Sequence, residues 1–145
     1  MIALRLYTMA AFKVLNKPLR LLLDEHPVPH PLPVTVAILA EAIKQLAGVE
    51  RKQPSASSQV NLWRGLHGLE EYEQRFVKRG GMELGFMSVS TSLPVALQYA
   101  ANPGGTSLLL KLDTKSMRDR GAALTWLSAF PKEMELVVRA APHCP

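Results

Sequence analysis

Apolar and polar positions change their period near the middle of the chain. Between residues 1 and 24, Leu4, Tyr7, Ala11, Leu15, Leu19 and Leu22 recur at intervals close to one helical turn. Asn16 to Pro18 predicts a break into two helices, with Pro18 opening the second. The stretch Pro27 to Pro33 alternates prolines and reads as an extended connection. Residues 35–47 predict a buried helix, with Thr35 as N-cap and Gly48 as its stop. Glu50 to Gln59 is polar and broken by Pro54, which predicts a loop.

The second half reads as strands. Val60 to Leu66, Leu84 to Ser90, Ser107 to Leu112 and Leu136 to Arg139 are strand candidates. A charged helix is predicted from Glu70 to Arg79, closed by Gly80-Gly81. A second helix follows Ser92, with Pro94 in its first turn, and runs to about Ala101. Asn102 to Gly105 is a turn. Lys115 to Phe130 is a long connection with room for a short strand at Ala122 to Leu124. Helices gathered early and strands gathered late favour an α+β class over regular βαβ alternation.

Composition narrows the class only slightly. At 145 residues the chain has the size of a single domain, with a helical part over 1–48 and a strand-rich part over 60–140. Its apolar content of 48% and charged content of 20% are ordinary for a globular protein. Neither a membrane span nor a signal peptide is apparent, and Cys144 has no partner for a disulfide. A cytoplasmic protein or a delivered effector is the expectation. The net charge of +5 is spread along the chain. That suits an anionic ligand such as a nucleotide. Without basic-aromatic interleaving, nucleic acid is an unlikely partner.

Three polar signals interrupt the strands. Arg64 stands in an apolar run and is followed by Gly65, which suggests a guanidinium clamp on phosphate with backbone open to close approach. A snorkelling edge arginine is the plainer alternative. Ser88 and Ser90 alternate on Phe86-Met87-Ser88-Val89-Ser90 and suit the positioning of a carboxylate or a sugar. Glu133 and Glu135 stand two apart before an apolar run, so in a strand both would point to one face. Paired carboxylates can stabilise an oxocarbenium-like transition state and hold a nucleophile.

Taken in order, these segments resemble the arginine-specific, Arg-Ser-Glu class of mono-ADP-ribosyltransferases. Tyr7-Thr8, Leu15-Asn16 and Leu19-Arg20 are similar to that family's N-terminal helical signature. Leu62-Trp63-Arg64-Gly65 is similar to its first-strand motif. Phe86 through Ser90 is similar to its F-x-S-T-S strand, with Val89 where threonine is usual. Ala96 and Tyr99-Ala100 fit the helix that follows. Arg120-Gly121-Ala122, then Trp126 through Glu135, is similar to its recognition loop and E-x-E motif.

The resemblance implies a single catalytic domain over 1–145, with two small, roughly perpendicular mixed or antiparallel sheets around an NAD cleft. NAD is the implied co-substrate and no metal is implied. An acceptor protein with an exposed arginine is the implied partner. Arg64, Ser88, Glu133 and Glu135 are the implied catalytic residues. Arg64, Gly65, Ser88, Ser90, Phe86 and Tyr7 would bind NAD. Trp126, Phe130 and Glu133 would recognise the acceptor. Ser88 is the preferred serine register, with Ser90 as the other. NAD hydrolysis at the same site, and an idle NAD-binding or interaction module, are the alternative activities.

Overall fold

A computed structural model of the chain describes residues 1–23, 28–52, 60–67, 83–114 and 120–139. The expected charged helix at Glu70 to Arg79, most of the loop ending at Gln59, residues 115–119 and Cys144 lie outside them.

Helix α1 (Ile2–Leu6) runs into a π-helical turn (Tyr7–Ala11) and then α2 (Phe12–Arg20). Met9 leaves helical geometry (φ −103°, ψ −169°), so the segment kinks there. The break expected at Asn16 to Pro18 does not occur, and Pro18 lies inside α2. Two hydrogen bonds fix the helix at this point. Asn16 Nδ2 donates to the Phe86 carbonyl at 2.9 Å, and the Phe86 N–H donates to Asn16 Oδ1 at 2.8 Å. Tertiary anchoring of this kind outweighs a local helix-breaking signal.

Helix α3 covers Pro33–Glu50 and buries Leu39, Ile43 and Ala47 along one stripe. It starts two residues ahead of Thr35, because Pro33 suits the first helical position, where no N–H is needed. It passes through Gly48, and the cap falls at Arg51, whose Nε donates to the Ala47 carbonyl at 2.9 Å. No described helix is long and apolar enough to cross a membrane.

The strands are β1 (Asn61–His67), β2 (Phe86–Ser90), β3 (Ser107–Asp113), β4 (Ala122–Ala123) and β5 (Glu135–Arg139). All pair antiparallel in the order β3-β1-β2-β5-β4. The ladder has two halves. β1 and β3 pair along seven registered positions, β2 and β5 along five, and the halves meet at the single pair Trp63↔Ser90. The helical segments, β2, β4 and β5 share a core that includes Leu4, Tyr7, Leu15, Leu39, Ile43, Phe86, Leu124 and Val137. The Tyr7 and Phe86 rings meet edge to face at 5.8 Å, a geometry worth something beyond area burial.

Helix α4 (Leu93–Ala100) follows β2. Ser92 stands at its N-cap position with extended backbone, yet its side chain makes no capping bond. The helix lies against β1 through the small residues Ala96 and Ala100. A Cβ on Gly65 would collide with the Ala96 carbonyl and come within 2.5 Å of the Ala100 nitrogen. The close approach that glycine permits here is therefore to α4. Backbone cannot yield as a side-chain tip does, so Gly65→Ala is expected to destabilise the fold by about 2 kcal/mol or more. Thermal unfolding checks this, and an unchanged midpoint would contradict the packing described.

Candidate active site

A cleft of about 620 Å³ opens over the junction of the two half-sheets, a volume in the usual range for ligand sites. The N-terminal helical segment, β1, β2, α4 and the 130–135 segment all contribute to its wall. Tyr7, Arg64, Gly65, Phe86, Ser88, Ser90, Phe130, Glu133 and Glu135 line it together. Trp126 lies outside that lining and is 59% exposed.

The two glutamates do not arrive by alternation along a strand. Pro131–Glu133 form a 3-10 turn, Met134 is left-handed (φ 49°, ψ 45°), and β5 begins only at Glu135. Left-handed backbone in a residue with a Cβ costs roughly 1–2 kcal/mol. Surrounding contacts hold the turn. Ser90 Oγ donates to the Glu133 carbonyl at 2.6 Å, and the Ser92 N–H donates to Ser90 Oγ at 3.0 Å. Ser90 thus fixes the main chain beneath Glu133. The Glu133 carboxylate accepts from the Tyr99 hydroxyl at 2.6 Å.

Glu135 is buried, 8% exposed. Burial pushes its carboxyl pKa upward and the nearby Glu133 adds to this, while hydrogen bonds from Ser88 and Ser128 pull it back. Ser128 Oγ lies 3.4 Å from Glu135 Oε2 and accepts the Phe130 N–H at 3.0 Å. The Tyr7 hydroxyl donates to the Phe86 carbonyl at 2.9 Å, and Ser88 Oγ lies 3.1 Å from the same hydroxyl. The two serines differ in this arrangement: Ser88 bonds with the Tyr7 hydroxyl in the neighbourhood of Glu135, and Ser90 bonds to the Glu133 backbone.

Arg64 projects from β1, and one guanidinium N–H reaches the Ser88 carbonyl at 3.4 Å. Burial lowers its pKa from the ordinary arginine value, but an arginine so placed remains charged. A half-buried cation is favoured by a nearby counter-charge. Glu83 supplies part of one at longer range, and Arg20 grips Glu83 bidentately at 2.9 Å. Burial alone would raise Glu83, but Arg20, the Gly85 N–H and Arg64 together lower its pKa. The opposite rim is tied to the N-terminal segment. Arg5 Nη1 donates to the Leu127 carbonyl at 3.0 Å, and the Ala129 N–H donates to Thr8 Oγ1 at 3.0 Å.

The sequence alone does not single out Tyr99, Ser128 or Glu83 as site residues. Tyr99 and Ser128 lie within the family-like segments, but nothing in their spacing tells which carboxylate each one meets.

No protein-family model matches the chain, and no curated protein matches it in sequence. Solved structures do match in shape. The chain is similar to ADP-ribosyltransferase HopU1 of Pseudomonas syringae pv. Tomato DC3000, with a TM-score of 0.61 and 21% identity over 87% of this chain. It is also similar to the Vis toxin, an ADP-ribosyltransferase from Vibrio splendidus, with a TM-score of 0.55 and 17% identity over 96% of this chain. The chain spans 53% and 61% of the lengths of those two proteins. It has the α+β fold that these ADP-ribosyltransferases share, and its half-sheets flank the cleft.

Proposed function

We propose that this domain transfers ADP-ribose from NAD to the guanidinium of an arginine on an acceptor protein. The observation that carries the reading is the convergence of Arg64, Ser88, Glu133 and Glu135 on one cleft in this fold. The residues fit the ligand. A desolvated, forked guanidinium matches a pyrophosphate, and a buried carboxylate suits a developing cation in a site of low dielectric.

Nicotinamide leaves with the electron pair of its glycosidic bond, and positive charge develops across the ribose C1′ and ring oxygen. Glu135, oriented by Ser88 and Ser128, is placed to oppose that charge. A guanidinium nitrogen then bonds to C1′ and gives up a proton. Guanidinium is a poor nucleophile because it stays protonated, so an adjacent carboxylate is needed to bind it and receive the proton. Glu133, held at the rim by Tyr99 and Ser90, fills that role. Exposed Phe130 lines this cleft, and it and Trp126, exposed four residues earlier in the chain, would meet the acceptor protein.

Labelled NAD with agmatine, an arginine analogue, tests the reading. ADP-ribosyl-agmatine and free nicotinamide are the expected products. Free ADP-ribose alone would make the domain a glycohydrolase, and no turnover would make it a binding module. Arg64→Lys is expected to weaken NAD binding at least about tenfold, since lysine lacks the planar fork. Calorimetry measures this, and unchanged affinity would remove Arg64 from the NAD site.

A further inference from the structure

We infer that Tyr99 is a positioning residue for the acceptor half of the reaction. Its phenol holds the Glu133 carboxylate where an incoming guanidinium meets it, a role that rests on the arginine reading above. The hydroxyl donates to Glu133 Oε1 at 2.6 Å, within the range for a hydroxyl bonded to a charged carboxylate.

Glu133 is otherwise poorly constrained. It sits on a 3-10 turn at the rim, and its side chain carries several rotatable bonds. Ser90 anchors its main-chain carbonyl and Tyr99 anchors its carboxylate, so the residue is held at both ends. With Oε1 engaged by the phenol, Oε2 remains to accept from a guanidinium N–H. The phenol is a dependable donor. The residue is half exposed, and partial desolvation, then the bond to Glu133 and its charge, push its pKa up to about 12. Its backbone is fixed, because α4 rests on β1 at Gly65.

The other glutamate has different holders. Glu135 accepts from Ser128 and lies near Ser88 on β2, with no hydrogen bond to Tyr99 among the described residues. Loss of the phenol therefore bears on guanidinium capture more than on nicotinamide departure. The quantity that reports it is the ratio of ADP-ribose transferred to agmatine against ADP-ribose captured by water.

The test uses the full chain with labelled NAD and agmatine, and measures both products. Tyr99→Phe keeps the ring and removes the donor. It is expected to lower the transfer-to-hydrolysis ratio by at least about tenfold, the scale of one hydrogen bond to a charged group. The KM for NAD should move less than the kcat for transfer. Glu133→Asp withdraws the carboxylate by one methylene, away from the phenol. In that background Tyr99→Phe should change the ratio by less than about twofold. An unchanged ratio in the single variant overturns the role of Tyr99. Equal losses in both backgrounds also overturn it, since the tyrosine would then act by a route other than Glu133. If the unmodified chain releases nicotinamide but forms no ADP-ribosyl-agmatine, the arginine reading falls, and the role of Tyr99 with it.

Discussion

Glu135→Gln is expected to abolish nicotinamide release, with or without an acceptor, by about a thousandfold or more. The carboxylate lies buried against Ser88 and Ser128, in a site where the only new positive charge arises as the glycosidic bond breaks. A neutral amide of the same shape keeps the packing and loses the charge. Fold and activity separate cleanly at this position. The pKa of Glu135 is raised in the folded state, chiefly by burial. Its contribution to stability is therefore present below the ordinary carboxylate range and is lost as pH rises through the raised value. Near neutral pH the ionised side chain works against folding, so Glu135→Gln should melt no lower than the parent there. Near-parental nicotinamide release by a well-folded variant would remove Glu135 from the chemistry.

For Glu133→Gln the expected outcome is selective. Transfer to agmatine should fall by about a hundredfold or more, while a measurable part of the NAD hydrolysis persists. Water is small, abundant and needs no second carboxylate to be held against C1′. Glutamine still accepts one hydrogen bond from Tyr99, so the rim is not expected to collapse. What it lacks is the charge that binds a guanidinium and the basicity that takes its proton. Product analysis with and without agmatine separates the two activities. A variant that transfers at the parental rate would reduce Glu133 to a solvated turn residue and end the case for arginine as acceptor.

Much of the cleft was legible because its polar residues interrupt apolar runs. Arg64 in Leu62–Leu66 and the serines of Phe86–Ser90 stand out against strands that otherwise alternate or stay apolar. The helical first part and strand-rich second part were legible from period alone. The path between the glutamates was not. An i, i+2 pair shares a face only if the backbone between is extended, and Met134 is left-handed, a state that a methionine codon does not announce. Gly65 signalled a close approach without saying what approaches. Asn16, Tyr99 and Ser128 act across distances of 70, 34 and 7 residues in sequence, so local pattern carries no trace of their partners. Pro18 is a similar case: its local penalty is overridden by the Asn16 anchors outside the helix.

The single Trp63↔Ser90 pair between the half-sheets bears on more than architecture. Arg64 belongs to one half, while Ser88 and Glu135 belong to the other. A molecule gripped by all three spans a seam that the backbone itself stitches only once. Ligand binding and cohesion of the two halves are then one equilibrium seen from two sides, since whatever binds the joined form alone stabilises it by mass action. If NAD binds as proposed, it would act as a removable staple across this join.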